Sequence, residues 1–250
     1  MSPESGGEAV VIVPIASPSS ATELPLRPVG RVSSPGPRTR LHPRRGMPRV
    51  VDLVLAGSLL LVLAPLMALV AILVKCTSRG SVLFAQMRLG QDGKPFRMLK
   101  FRTMYANCDD QLHREYVQKL LTTPAASLRS PGGLYKLVDD PRVTRLGRWL
   151  RRSSLDELPQ LINVLRGEMS LVGPRPALPW EAAMYDPRYA RRFDVRPGIT
   201  GLWQISGRNR LTATQALDLD VEYVERRSFR LDLAILCRTI PTVLSRDGAG

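Results

Sequence analysis

Two adjacent carboxylates, Asp156 and Glu157, follow Arg151 and Arg152 in the run Ser153-Ser154-Leu155-Asp156-Glu157-Leu158-Pro159-Gln160. Paired acids with guanidinium groups nearby suit phosphate chemistry. One carboxylate can act as a nucleophile while the other helps bind a divalent metal, and the arginines hold a phosphate. The pattern also has a plainer reading. Ser153 or Ser154 can cap a helix and place both acids in its first turn, where backbone N–H groups and the helix dipole stabilise them whatever the function. The local pattern alone favours that plainer reading.

Three further segments carry cations in suggestive settings. Lys100-Phe101-Arg102 can set two cations before a phosphate, or can be a solvated strand edge. In Gly173-Pro174-Arg175-Pro176 two prolines make a rigid turn that pre-positions Arg175, or simply a structural corner. Val195–Gln204, followed by Ser206-Gly207-Arg208-Asn209, offers Gly-rich turns, backbone N–H groups and the arginines Arg196 and Arg208. It fits an anion site or a plain loop.

These segments need elements to hold them. Val82–Arg88 and Phe96–Arg102 partly alternate apolar and polar residues about Gly90-Gln91-Asp92-Gly93, which predicts a hairpin. Helices are expected over Asp109–Leu121, Val143–Arg152, Leu155–Leu165 (closed by Gly167), Thr212–Arg226 (capped by Thr212) and Leu231–Leu244. Met169–Val172 reads as a short strand, and Thr122–Asp140 as a loop. Ahead of these lies Val51–Val74, 24 residues with a single charge, Asp52. As a helix it extends roughly 36 Å, enough for about 30 Å of hydrocarbon. A simple spanning anchor is one reading. Pro65 near its middle and basic residues on both flanks (Arg40, Arg44, Arg45 and Arg49 before, Lys75, Arg79 and Arg88 after) fit a helix that enters and returns on one face. Both stay open at this point. Residues 1–46 are rich in Pro, Ser and Gly without apolar periodicity and read as a disordered tail. The apolar run Ala9–Ala16 follows Glu4 and Glu8 rather than a basic segment, which argues against a secretory signal.

The 250 residues carry 36 Lys+Arg against 22 Asp+Glu, a formal net charge of +14. An anionic partner follows: nucleic acid, membrane surface or phosphate-bearing substrate. Cys76, Cys108 and Cys237 are too scattered for a disulfide framework or a zinc ribbon. His42 and His113 are too few for a His-rich metal site. A nucleic-acid binder is disfavoured, because the cations are mixed with acids, no nucleic-acid-binding fingerprint is present, and aromatics make up only 6%.

In combination and order, the segments resemble the bacterial sugar transferases, monotopic phosphoglycosyl transferases that start polysaccharide assembly on a polyprenyl phosphate. The resemblance starts at Arg49-Val50-Val51-Asp52 and runs through Lys100-Phe101-Arg102-Thr103-Met104, Asp140-Pro141-Arg142-Val143-Thr144, Gly147, Arg151 and Leu155–Gln160. It continues through Asn163-Val164-Leu165, Gly167–Pro176, Arg196–Gly201 and Gly207-Arg208-Asn209, and covers about residues 47–245.

The resemblance implies transfer of a sugar-1-phosphate from a UDP-sugar to undecaprenyl phosphate, with release of UMP. Asp156 would carry a covalent phosphosugar intermediate. Glu157 would assist, and both acids would hold Mg²⁺. Lys100, Arg102, Arg151, Arg175 and Arg208 would bind phosphate. The implied fold is α+β: a tail (1–46), a membrane-inserted helix (47–78), re-entrant in the family, and a mostly helical catalytic domain with a hairpin (79–245) on the cytoplasmic face of the inner membrane. The family's helix breaks at Ser-Pro, whereas this chain has Ala64-Pro65. The segment from Ile199 to Arg208 is similar to the branch that uses hexose-1-phosphates in exopolysaccharide synthesis. Membrane lipid is an implied partner and nucleic acid is not. The sugar, and whether the chain works as a homodimer, stay open. A non-catalytic scaffold of the same fold is a rival that the intact Asp156-Glu157 pair argues against.

Overall fold

The computed structural model describes residues 46–105, 115, 118, 140–207 and 211–244. The expected tail through residue 45, nearly all of the loop over Thr122–Asp140, and Arg208 lie outside the described residues. Of the helix expected over Asp109–Leu121, Glu115 and Gln118 are described, and both are helical.

The first element, α1, runs from Arg49 to Thr77 with Pro65 inside it. Among the described residues it is the one helix long and apolar enough to cross a membrane. Its burial is divided. Asp52 and Ala56 are buried near one end, Val70 and Val74 near the other, and residues 57–69 between them are exposed or half-buried. The N-terminal end is held by polar contacts. Ser170 Oγ and the Leu171 amide donate to the Asp52 carboxylate at 2.7 and 3.1 Å. Arg49 donates to the Met169 carbonyl at 3.2 Å and to that of Val164. The C-terminal end is held by apolar packing, in which Val70 and Val74 share a cluster with Phe101 and Leu150.

The hairpin follows as expected. β1 (Leu83–Leu89) pairs antiparallel with β2 (Pro95–Phe101), placing Phe84 opposite Lys100 and Arg88 opposite Phe96. Asp92 and Gly93 adopt positive φ in the turn. Phe96 and Met98 point into the main core with Leu161, Val164, Met169, Leu171 and Ile235.

Next comes α2 (Arg145–Ser153), whose N-cap Thr144 accepts from the Gly147 amide at 2.8 Å. A single 3-10 turn, Leu155–Glu157, separates it from α3 (Gln160–Arg166). The expected helix over Leu155–Leu165 is therefore shorter. Pro159 has no N–H to give, so regular α-helix begins after it. Gly167 closes α3 at φ 84° as expected.

β3 (Ser170–Val172) pairs parallel with β4 (Gly198–Thr200), a strand the Gly-rich sequence did not announce. A Cβ on Gly198 would fall 2.1 Å from the Gly173 amide nitrogen, so the close approach requires glycine. The crossover between them holds α4 (Pro179–Ala182) and a 3-10 segment, Pro187–Asp194. The described residues end with α5 (Leu202–Ile205), α6 (Ala213–Arg226) and α7 (Phe229–Leu244). Thr212 caps α6 in a reciprocal box with Gln215. The described residues are thus mostly helical with two two-stranded sheets, compatible with α+β. Trp203 is buried in the core, whereas Phe229, Leu233 and Ile240 of α7 are exposed.

Candidate active site

The two acids stand at the junction of α2 and α3, in the 3-10 turn rather than in the first turn of a regular helix. Neither serine caps them. The Ser153 hydroxyl donates back to the carbonyls of Trp149 and Leu150. Ser154 takes the left-handed conformation (φ 55°, ψ 15°), unusual for a residue with a Cβ, and turns the chain so that the dyad follows directly.

Asp156 is buried, and Glu157 is half-buried. Arg151 lies in the field of the Asp156 carboxylate. Burial lowers the Arg151 guanidinium from its ordinary range, and Asp156 and Asp140 pull it back up. Arg151 is held in place by Nε, which donates to Thr103 Oγ1 at 2.9 Å. Gly147 makes that arrangement possible, since a Cβ there would sit 2.0 Å from the Thr103 carbonyl oxygen. Behind Arg151, Arg142 grips Asp140 with a fork. Nε and Nη2 donate to the two carboxylate oxygens at 2.8 Å each, and these bonds hold the Asp140 carboxyl below its usual range.

Glu157 faces the hairpin, where Lys100 Nζ donates to its carboxylate at 2.8 Å. Asn163, fully buried, fixes that strand. It accepts from the Leu99 amide at 3.0 Å and donates to the Arg97 carbonyl at 2.7 Å. Arg102 sits elsewhere. Its Nη2 donates to the Ser78 carbonyl and hydroxyl at 2.6 and 2.8 Å, tying β2 to the end of α1.

A second charged cluster adjoins the dyad. Glu181 is fully buried and accepts from the Leu178 amide at 3.0 Å and from Arg175 Nη1 at 3.4 Å. Arg88 approaches the same oxygen at 3.9 Å and donates to the Pro176 carbonyl at 3.0 Å. Burial and the nearby Arg175 bring the Arg88 guanidinium down to about 9, while Glu181, Tyr185 and Glu157 oppose the shift. Arg88 thus stands in the field of both acidic centres. Arg192 donates to Asp220 at 2.6 Å and to the Arg175 carbonyl at 2.7 Å, which fixes the Pro-Arg-Pro turn from behind.

Of the expected residues, Asp156 and Arg151 come together, as do Glu157 and Lys100. Arg175 belongs to the adjoining cluster, Arg102 holds α1, and Arg208 lies outside the described residues. Sequence reading assigned no role to Arg88, Thr103, Asp140, Arg142, Asn163, Glu181 or Arg192. Asp140-Pro141-Arg142 was visible as a motif, but Arg88 read only as a basic flank.

Among the described residues no group of three His, Cys, Asp or Glu converges on a metal position. Asp156 and Glu157 supply hard carboxylate oxygens from two side chains. That donor set fits Mg²⁺, which takes one or two protein carboxylates and completes its shell with phosphate and water. It does not fit a structural zinc.

The family described as bacterial sugar transferase matches residues 43–246. The exopolysaccharide production protein ExoY of Sinorhizobium fredii is 42% identical over 224 residues, covering 90% of this chain and 91% of that protein. The UDP-glucose:undecaprenyl-phosphate glucose-1-phosphate transferase of Caulobacter vibrioides is 40% identical over 244 residues, covering 94% of this chain and 81% of that protein. The UDP-galactose-lipid carrier transferase of Erwinia amylovora is 41% identical over 208 residues, 83% of this chain but 42% of the relative. The dyad and its cations lie within the matched span, and this chain belongs to the bacterial sugar transferase family.

Proposed function

We propose that this protein transfers a sugar-1-phosphate from a UDP-sugar to undecaprenyl phosphate, releasing UMP, as the first membrane step of exopolysaccharide assembly. The observation that carries the reading is the dyad itself: buried Asp156 in the field of Arg151, with Glu157 held by Lys100. The relatives named UDP-glucose:undecaprenyl-phosphate glucose-1-phosphate transferase and UDP-galactose-lipid carrier transferase support it.

In this mechanism an Asp156 oxygen attacks the β-phosphorus of the UDP-sugar. The bond from that phosphorus to the bridging oxygen breaks, and UMP leaves with the electron pair. A phosphosugar ester remains on Asp156. A phosphate oxygen of the polyprenyl phosphate then attacks the same phosphorus and frees the carboxylate. Arg151 offsets the repulsion between carboxylate and pyrophosphate. Lys100 orients Glu157, and Arg88 and Arg175 add positive potential from the adjoining cluster. Mg²⁺ held by Asp156 and Glu157 would supply further neutralisation of phosphate charge.

The burial of α1 supports a re-entrant membrane helix. Both ends pack against one catalytic body, and the largely exposed apolar residues between them, about Pro65, would form the part that enters the bilayer. Both flanks and the catalytic domain then lie on the cytoplasmic face of the inner membrane, where a soluble donor meets a bilayer-bound acceptor.

The test is UMP release and sugar-phosphate transfer to undecaprenyl phosphate across a panel of UDP-sugars, with wild type and Asp156→Asn. Wild type alone should turn over and accumulate a phosphosugar adduct at Asp156. An adduct on another residue would overturn the assignment. For the helix, a cysteine at Arg45 and the native Cys76 should both label only from the cytoplasmic side. Labelling of position 45 from outside would refute the re-entrant reading.

A further inference from the structure

Arg151 stands in the fields of two carboxylates, Asp156 and Asp140. A guanidinium free to turn clasps a carboxylate through two parallel N–H···O bonds, each roughly twice as strong as a bond to a neutral acceptor. Among the described residues, Arg151 donates to neither acid. Its one hydrogen bond there runs from Nε to the neutral Thr103 hydroxyl at 2.9 Å.

The backbone explains how the weaker acceptor wins. Thr103 is buried, and its carbonyl accepts from the Thr144 amide at 3.0 Å, where α2 begins. Gly147 lies one turn before Arg151, on the same face of α2. It sits so close to Thr103 that a Cβ would meet the Thr103 carbonyl oxygen at 2.0 Å. The first turn of α2 is thus pinned onto Thr103, and the next turn carries Arg151 over the Thr103 side chain. Asp140 is already gripped through both oxygens by Arg142. A guanidinium has two edges with paired donors, one formed by Nε with an Nη and one by Nη1 with Nη2. The bond from Nε to Thr103 takes the first edge out of use. The second is left for a bidentate oxyanion.

We propose that Thr103 is a positioning residue for the transfer: its hydroxyl holds Arg151 off the Asp156 nucleophile and presents the Nη1/Nη2 edge to the β-phosphate of the donor. This rests on the reading of Asp156 as the nucleophile toward a UDP-sugar. Without the hydroxyl, Arg151 turns onto Asp156, and the fork meant for phosphate masks the attacking oxygen instead. Thr103 touches no substrate and acts through Arg151.

The test is single-turnover UMP release by the full chain in nanodiscs, with a UDP-sugar that wild type turns over. Thr103→Val keeps the shape and the backbone contacts and removes the acceptor, whereas Thr103→Ser keeps the acceptor. Thr103→Val should slow release on the order of a hundredfold. Thr103→Ser should return it close to wild type. The unfolding temperature of Thr103→Val should fall by no more than about 2–4 °C, the loss of one hydrogen bond. In an Arg151→Gln background Thr103→Val should cost nothing further, whereas a residue that only supports the fold would slow both backgrounds alike. Thr103→Val as fast as wild type, Thr103→Ser as slow as Thr103→Val, additive losses with Arg151→Gln, or a larger drop in unfolding temperature would each overturn the role of Thr103 and leave the proposed transfer standing. A wild-type protein that releases no UMP from any UDP-sugar would overturn the transfer itself, and this proposal with it.

Discussion

Asp156 and Glu181 are both buried acids with arginine beside them, yet their surroundings differ. Glu181 is fully enclosed by Arg88, Arg175 and the Leu178 amide. Burial alone would raise its carboxyl, but the two arginines hold it below the usual range. Its charge is consumed inside the fold. Asp156 instead stands next to a second acid, and the Glu157–Lys100 pair is about a quarter exposed on both sides. Two acids thus stand side by side at this turn, one buried and one half-buried. Under the proposed function, enclosure and the local balance of charge, rather than residue type, would separate the structural cluster from the reactive one.

The largest effect should come from the dyad. Asp156→Asn is expected to lower transfer on the order of 10⁴-fold or more while leaving the unfolding temperature nearly unchanged. A variant that lost its fold together with its activity would erase the contrast. Glu181→Gln should do the reverse. Removing one partner of a buried cluster leaves uncompensated guanidinium charge and costs about 3–5 kcal/mol, read by chemical denaturation. Full stability in that variant would mean that the second centre is not structural.

Asp220 sharpens the comparison through pH. Burial raises its carboxyl from 3.8 to about 6 against the pull of Arg192. The folded protein then holds this proton more tightly than the unfolded chain. Wild-type stability relative to Asp220→Asn should be highest below about pH 4 and decline by on the order of 2–3 kcal/mol as pH rises through about 6. A difference independent of pH would show Asp220 ionised throughout. The smallest effect is expected from Lys100→Met. A part-exposed pair contributes up to about 1 kcal/mol to stability, so the loss should fall on kcat/KM by about tenfold. A larger loss of stability than of turnover would move Lys100 into the structural class.

How much was legible follows from where the partners lie along the chain. Asp156-Glu157 could be read because both acids and Arg151 are local. The hairpin, the α6 cap and the Gly167 stop could be read because turns and caps are local as well. Glu181 could not, since Arg88 reaches it from a distant strand. Arg102 read as a phosphate ligand because Lys100 precedes it by two residues. β2 ends at Phe101, however, and the guanidinium turns to Ser78 instead. β4 was hidden by its own composition, because the glycines that signal a loop are those that let two backbones touch.

The two-point attachment of α1 also bears on how the chain is made. Asp52 binds Ser170 Oγ, 118 residues later in the sequence. Met47 likewise donates its amide to Asp232, 185 residues later. During synthesis the apolar segment emerges long before either partner exists, so its polar N-terminal contacts close only after most of the catalytic domain has been translated. A chain halted before residue 170 would carry the whole hydrophobic segment with that clamp missing. The polar clamp on the N-terminal end of α1 therefore closes late, well after the segment itself has left the ribosome.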